Sequence, residues 1–254
     1  MKSLEELDLK SKKIIIFDMD GTLIDSIGIW NLLDHNTILK FANKDIDLEV
    51  IQKDRNDYFI NNKSGEVYLN YCEFIAKKYN INMSKEELHK KRKDLAFELL
   101  VNTMDYKDNA PEVVKKLYDL GYTLVLATTT TRFDLDIYAN KNKTMMEKLA
   151  LNNYFDYILS KEDVKNKKPD PEIYLKVLEH YNVNASDCIV IEDSIQGITS
   201  AKNAGLETIN IYDKYSDCDR ANIDFLTDYK INNFIEFNDY INKIHDIKIL
   251  KKDY

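Results

Sequence analysis

The feature that most constrains this chain is a set of four short runs rich in apolar and β-branched residues: residues 14–17 (IIIF), 123–127 (TLVLA), 188–191 (CIVI) and 208–211 (TINI). Runs of this kind read as strands buried on both faces, as in parallel sheets. Helical patterns separate the later runs. Asn109-Ala110-Pro111-Glu112 offers a capping Asn and an early Pro; Val113, Val114, Leu117 and Leu120 follow at helical spacing, and Gly121 stops the helix. Asp170-Pro171-Glu172 opens a second helix carrying Ile173, Val177, Leu178 and Tyr181. Asp193-Ser194 opens a third, with Ile195, Ile198 and Ala201 inward and Gly205 at its end. Strand, helix and strand in alternation predict an α/β fold with a parallel sheet.

Residues 29–104 break that rhythm. They hold no convincing buried strand and read as several helices, the clearest starting at the capping box Ser84-Lys85-Glu86-Glu87 and running through Leu88, Leu95 and Leu99. A helical domain inserted after the first strand is therefore expected. It carries twelve basic and twelve acidic residues, so the net charge of −8 belongs to the remainder. That acidic balance argues against nucleic acid or an anionic membrane as partner. No apolar run reaches the length of a membrane span, and the polar start MKSLEELDLKSKK has no signal-like apolar region. Cys72, Cys188 and Cys218 are too few and too scattered for a disulfide framework. The expectation is a cytoplasmic protein, a monomer with a dimer left open.

Four places carry chemistry, and all fall at the ends of expected parallel strands or at a helix start beside one, where open α/β sheets bind ligands. The first is Asp18-Met19-Asp20-Gly21-Thr22. Two carboxylates this close repel unless a cation or proton lies between them, and oxygen ligands at a strand end suit Mg²⁺. The second is Thr128, whose hydroxyl, with the backbone N–H groups of Thr129 and Thr130, could cradle phosphate oxygens. The third is Lys168, able to project a point charge into a site; Lys165 and Lys167 read as solvated neighbours. The fourth is Glu192-Asp193. Each has an ordinary explanation when taken singly: an Asp-Gly turn, a strand-end Thr, a surface lysine, an N-cap aspartate. Their shared placement is what points to a site.

FDMDGTLIDS, LATT, KKPDPEIY and VIEDSIQGITSAKNAG resemble, in that order, the four motifs of the haloacid dehalogenase superfamily, and most resemble its phosphatase and β-phosphoglucomutase-like branch. The resemblance implies a Rossmann-like core of residues 1–28 and 105–254 with a helical cap at 29–104. It implies that Asp18 attacks phosphorus and forms an aspartyl-phosphate, and that Asp20 serves as general acid and base. Thr128, Thr129 and Lys168 would hold the phosphoryl oxygens. Mg²⁺ would bind Asp18, the Asp20 carbonyl and Asp193, with Glu192 ligating directly or through water. The implied substrate is a small phosphorylated metabolite. The superfamily's dehalogenases lack an acid at the second position, so Asp20 favours phosphate chemistry. The mutases carry Val or Ile where this chain has Thr22, and His near Trp30; both departures favour hydrolysis over phosphosugar mutation. A silent phospho-ligand-binding module is the alternative of another class.

Within the cap, Trp30 either lines the entrance or packs a helix, and Arg55 either meets a distal anionic group or is solvated. The run His89-Lys90-Lys91-Arg92-Lys93 is expected to be a solvated helix face. Tyr58, Tyr68, Tyr71 and Phe74 are expected in the cap core, and His35, His89, His180 and His245 show no ligand spacing.

Overall fold

The computed structural model of the chain describes residues 2–62 and 66–245. Each apolar run forms a strand, and two further strands lie beyond them. Among the described residues the strands are β1 (Ile14–Phe17), β2 (Thr123–Ala127), β3 (Tyr157–Leu159), β4 (Cys188–Glu192), β5 (Glu207–Ile211) and β6 (Tyr229–Ile231). They form one sheet in the order β3-β2-β1-β4-β5-β6, every pair parallel. The α/β parallel-sheet core expected from the sequence is thus the fold observed. β1 and β4 are buried along their whole length, which is why their sequences show no alternation.

The chain divides into two compact units, one of residues up to Asp25 with those from Asp105 onward, the other Ser26–Met104. The first ends three residues before the expected boundary of 28, because helix α1 already begins at Ser26. The second unit is all helical: α1 (Ser26–Ala42), α2 (Leu48–Asn61), α3 (Val67–Tyr79) and α4 (Lys85–Asn102). Ser84 caps α4 by accepting from the Glu87 N–H at 3.1 Å. Ile38, Ile51, Tyr71, Cys72, Ile75 and Leu88 form its apolar centre. Tyr58 and Phe74 pack against that centre, whereas Tyr68 is 64% exposed and is not a core residue.

In the basic run Lys90, Lys91 and Lys93 are exposed, as expected, and Arg92 departs from the expectation. It is buried, and its guanidinium meets Asp34 Oδ1, while Asp34 Oδ2 accepts from Tyr71 Oη at 2.7 Å and from Arg55 at 3.1 Å. One carboxylate on α1 therefore ties together side chains from α2, α3 and α4.

The sheet unit adds α5 (Ala110–Asp119), α6 (Arg132–Asn140), α7 (Lys143–Lys148), α8 (Leu151–Tyr154), α9 (Glu172–Tyr181), α10 (Ile195–Asn203), α11 (Arg220–Leu226) and α12 (Phe234–Ile244). Asn109 precedes α5 in the left-handed region (φ 63°) and makes no side-chain cap, contrary to expectation. At α10 the capping side chain is Ser194, which accepts from the Gly197 N–H at 3.1 Å. Asp193 is thereby free of the capping role that was its ordinary explanation. No helix among the described residues is long and apolar enough to cross a membrane.

Candidate active site

Register decides what meets at the sheet edge. Phe17 lies opposite Leu126 on β2 and Ile191 on β4, so the next residue, Asp18, stands level with Ala127 and Glu192. The reversal of strand order falls between β1 and β4, the place where doubly wound sheets open a ligand crevice. Asp18, Glu192 and Asp193 are buried there, each offering a carboxylate oxygen within 4.8 Å of the others. Residues some 170 positions apart in sequence thus share one small volume.

Lys168 enters this volume just ahead of α9, its following peptide bond to Pro169 being cis. Its ammonium donates to Asp18 Oδ1 at 2.7 Å, Glu192 Oε1 at 2.6 Å and the Ala127 carbonyl at 2.9 Å. Burial works against this charge, but the Asp18 and Glu192 carboxylates outweigh it and hold its pKa well above the usual lysine value. Lys165 and Lys167 are exposed, as expected.

Glu192 is saturated. Oε1 accepts from Lys168 and from Tyr174 Oη, while Oε2 accepts from the N–H groups of Asp193 and Ser194 and from the Ser194 hydroxyl. Gly197 makes room for it, since a Cβ there would fall 1.7 Å from Oε1. Asp193 differs. Its partners are two hydroxyls, Thr22 at 3.0 Å on Oδ1 and Ser216 at 3.3 Å on Oδ2. Gly21 (φ 79°) presses its backbone against that carboxylate, and a Cβ would lie 2.4 Å from Oδ2.

The electrostatics follow. Burial, then the charges of Glu192 and Asp213, push the Asp193 pKa up to about 8 against the opposing pull of Lys107 and Thr22. Burial likewise raises Asp18 well above the carboxylate range, Lys168 opposing and Glu192 and Asp193 reinforcing. Buried carboxylates strained in this way are what a divalent cation relieves, and an oxygen-only donor set suits a hard ion. The residues present fit such an ion.

Asp20 stands apart from the trio, its Oδ2 accepting from the Thr130 hydroxyl. Thr128 is fully buried, and its Oγ1 accepts from the Thr130 N–H at 3.1 Å. That N–H is therefore engaged inside the loop rather than available to a phosphate, as the sequence had suggested; Thr129 is half-buried on the same turn. In the helical unit, Trp30 is half-buried on α1, and Arg55 is held by Asp34 and the faces of Phe59 and Tyr71 rather than solvated.

Sequence reasoning missed several supports. Lys107 bonds the Gly21 carbonyl and reaches Asp213 Oδ2 at 2.7 Å, fixing the turn beneath Asp193. Thr130, Tyr174 and Ser216 complete the bonding of Asp20, Glu192 and Asp193. Isolated lysines and hydroxyls in loops carry no periodic signal. For Thr130, adjacency to the strand end was the available clue.

Residues 15–211 match the family model described as haloacid dehalogenase-like hydrolase. The chain belongs to that family. This hydrolase is 31% identical over 195 residues to the phosphorylated carbohydrates phosphatase of Thermotoga maritima, covering 77% of this chain and 82% of that one. It is 24% identical over 201 residues to the β-phosphoglucomutase of Bacillus subtilis, covering 78% and 83%. The crystal structure of CbbY from Rhodobacter sphaeroides in complex with phosphate superposes with a TM-score of 0.63 at 21% identity, covering 89% of this chain and 96% of that one.

Proposed function

We propose that this hydrolase is a Mg²⁺-dependent phosphatase that removes phosphate from a small phosphorylated metabolite through an aspartyl-phosphate. The observation that carries the reading is the convergence of Asp18, Glu192 and Asp193 within 4.8 Å of one another, with the Lys168 ammonium on two of them. Asp18, anchored by Lys168 through Oδ1, attacks phosphorus with Oδ2. As the Asp18–phosphorus bond forms, the bond from phosphorus to the substrate oxygen breaks, and Asp20 gives that oxygen its proton. Asp20 then takes a proton from water as the water displaces Asp18, releasing inorganic phosphate. Lys168 and Thr129 hold the phosphoryl oxygens, while Thr128, whose hydroxyl and N–H are engaged by Thr130 and the Leu159 carbonyl, shapes the turn rather than touching phosphate, so most of the acceleration comes from positioning and charge.

Mg²⁺ would be held by the Asp18 and Asp193 side chains and the Asp20 carbonyl, and would there neutralise charge on the transferring group. Glu192, with both oxygens engaged by protein donors, acts by fixing Lys168 and the turn into α10. The similarity to a carbohydrate-phosphate phosphatase favours sugar phosphates as substrates. Mutase activity is the second reading, favoured by the Bacillus subtilis relative. Against it stands Thr22, whose hydroxyl bonds Asp193 where the mutases have Val or Ile. Competent side chains at every catalytic position disfavour a silent binding module. Cys72, Cys188 and Cys218, none of them in a disulfide, support a reducing, cytoplasmic setting.

The test is a panel of phosphorylated metabolites assayed with and without Mg²⁺, scoring free phosphate, with β-glucose-1-phosphate also scored for isomer. Mg²⁺-dependent phosphate release supports the proposal. Isomer without phosphate release would replace it with the mutase, and no turnover on any substrate would leave the binding module.

A further inference from the structure

Beside the proposed acid and base lies a short chain of hydrogen bonds that ends on its carboxylate. The Thr130 N–H donates to Thr128 Oγ1 at 3.1 Å, the two threonine hydroxyls lie 2.8 Å apart, and the Thr130 hydroxyl donates to Asp20 Oδ2. A hydroxyl has one hydrogen. With Asp20 Oδ2 unprotonated the hydrogen of Thr130 goes to it, and the bond between the threonines is then donated by Thr128. The order is Thr130 N–H to Thr128, Thr128 to Thr130 Oγ1, Thr130 to Asp20. Both threonines are buried, at 0% and 5% exposure, and the backbone N–H at the head of the chain cannot reverse its role.

We propose that Thr130 is a positioning residue for Asp20: its hydroxyl holds Oδ2 and so leaves Oδ1 as the oxygen that delivers the proton to the leaving group. This rests on the phosphatase reading above and adds to it a residue outside the four motifs' acidic and basic groups. The carboxylate of an aspartate rotates about two bonds, and Asp20 precedes a glycine turn. Without a fixed donor on one oxygen its plane would sample orientations that miss the leaving oxygen. Proton delivery is steeply dependent on geometry, and general acid catalysis contributes roughly 10²–10⁴-fold.

The prediction separates positioning of a proton donor from support of the fold. An alkyl alcohol leaves poorly unless protonated, whereas p-nitrophenolate leaves without help. Wild type, Thr130→Val and Thr130→Ser are compared on β-glycerophosphate and p-nitrophenyl phosphate with Mg²⁺, reading kcat/KM, which reports the steps through formation of the aspartyl-phosphate. Thr130→Val should lower kcat/KM for the alkyl ester by about tenfold or more and for the aryl ester by less than about threefold, a part of the general-acid factor. Thr130→Ser, which keeps the hydroxyl, should restore both. An equal fall on the two esters, as a folding defect would give, overturns the proposal. So does an absence of any fall, or a serine variant that behaves like valine. If wild type turns over neither ester, the alkyl side of the comparison is read on the alkyl phosphate of the panel above that it does turn over; no Mg²⁺-dependent turnover on any of them overturns the phosphatase reading itself, a result distinct from these.

Discussion

Both units of this hydrolase bury charge, and they do so with opposite balance. In the sheet unit three carboxylates, Asp18, Glu192 and Asp193, crowd together, and the ammonium of Lys168 reaches two of them, Asp18 and Glu192. In the helical unit two guanidiniums, Arg55 and Arg92, share the carboxylate of Asp34. The donors decide what each arrangement is for. Asp34 has donors on both oxygens, two of them cationic, and its neighbours come from every other helix of its unit. Asp193 has only two hydroxyls, and burial lifts its pKa to about 8. A buried carboxylate with cationic donors on both oxygens is neutralised and holds structure together; one with only neutral hydroxyl donors keeps a charge that a ligand can still answer.

Substitutions test this contrast. The largest effect belongs to Asp18→Asn, which should reduce phosphate release to background while thermal melting stays cooperative; retained turnover would remove the nucleophile from the sheet unit's side of the contrast. Asp20→Ala comes next, with a fall of roughly 10²–10⁴-fold on an alkyl phosphate in steady-state assays. Asp34→Ala leaves buried Arg92 uncompensated and should cost about 3–5 kcal/mol in urea denaturation. A loss below about 1 kcal/mol would show that the cluster behaves as an exposed pair does.

Asp193→Asn should act in the opposite sense. Between the unfolded value of 3.8 and about 8, folded Asp193 keeps a proton that the unfolded chain has released. Stability of the metal-free protein therefore falls as pH rises through that window. The asparagine variant should show a shallower slope, Asp18 alone contributing, and melt higher than wild type at pH 8 without metal. Added Mg²⁺ should raise the wild-type Tm, more at pH 8 than at pH 5 because it competes with protons, and leave the variant nearly unmoved. A wild-type Tm that climbs from pH 5 to pH 8 without metal would end the contrast.

The same contrast explains what could be read in advance. β1, β2, β4 and β5 announce themselves because these strands carry mostly apolar residues, β5 least clearly, since Thr208 and Asn210 alternate there with Ile209 and Ile211. β3 and β6 have three residues each, and their neighbours are polar, so Tyr157–Leu159 and Tyr229–Ile231 gave no pattern. Asp18, Lys168 and Asp193 were legible because strand ends converge by topology. Arg92 was not, since it sits in a basic run; yet it occupies the stripe of Leu88, Leu95 and Leu99, and that position was the available signal of burial. Asp34 lies on the stripe of Ile38 in the same way. Helical spacing marks which positions face inward, and says nothing about whether a charge there has found its counterion.

The points where the chain leaves and re-enters the sheet unit are fastened to each other. Ile24 bridges to Tyr106, and the Lys107 N–H donates to the Leu23 carbonyl at 2.8 Å. The seam closes on its own bonds, whatever length of polypeptide runs between. Because the entropy of closing a loop grows only with the logarithm of its length, the catalytic half is indifferent to the size of its passenger. Such a seam is where one helical module could be exchanged for another, or trimmed to a short turn, while the chemistry behind it stayed as it was.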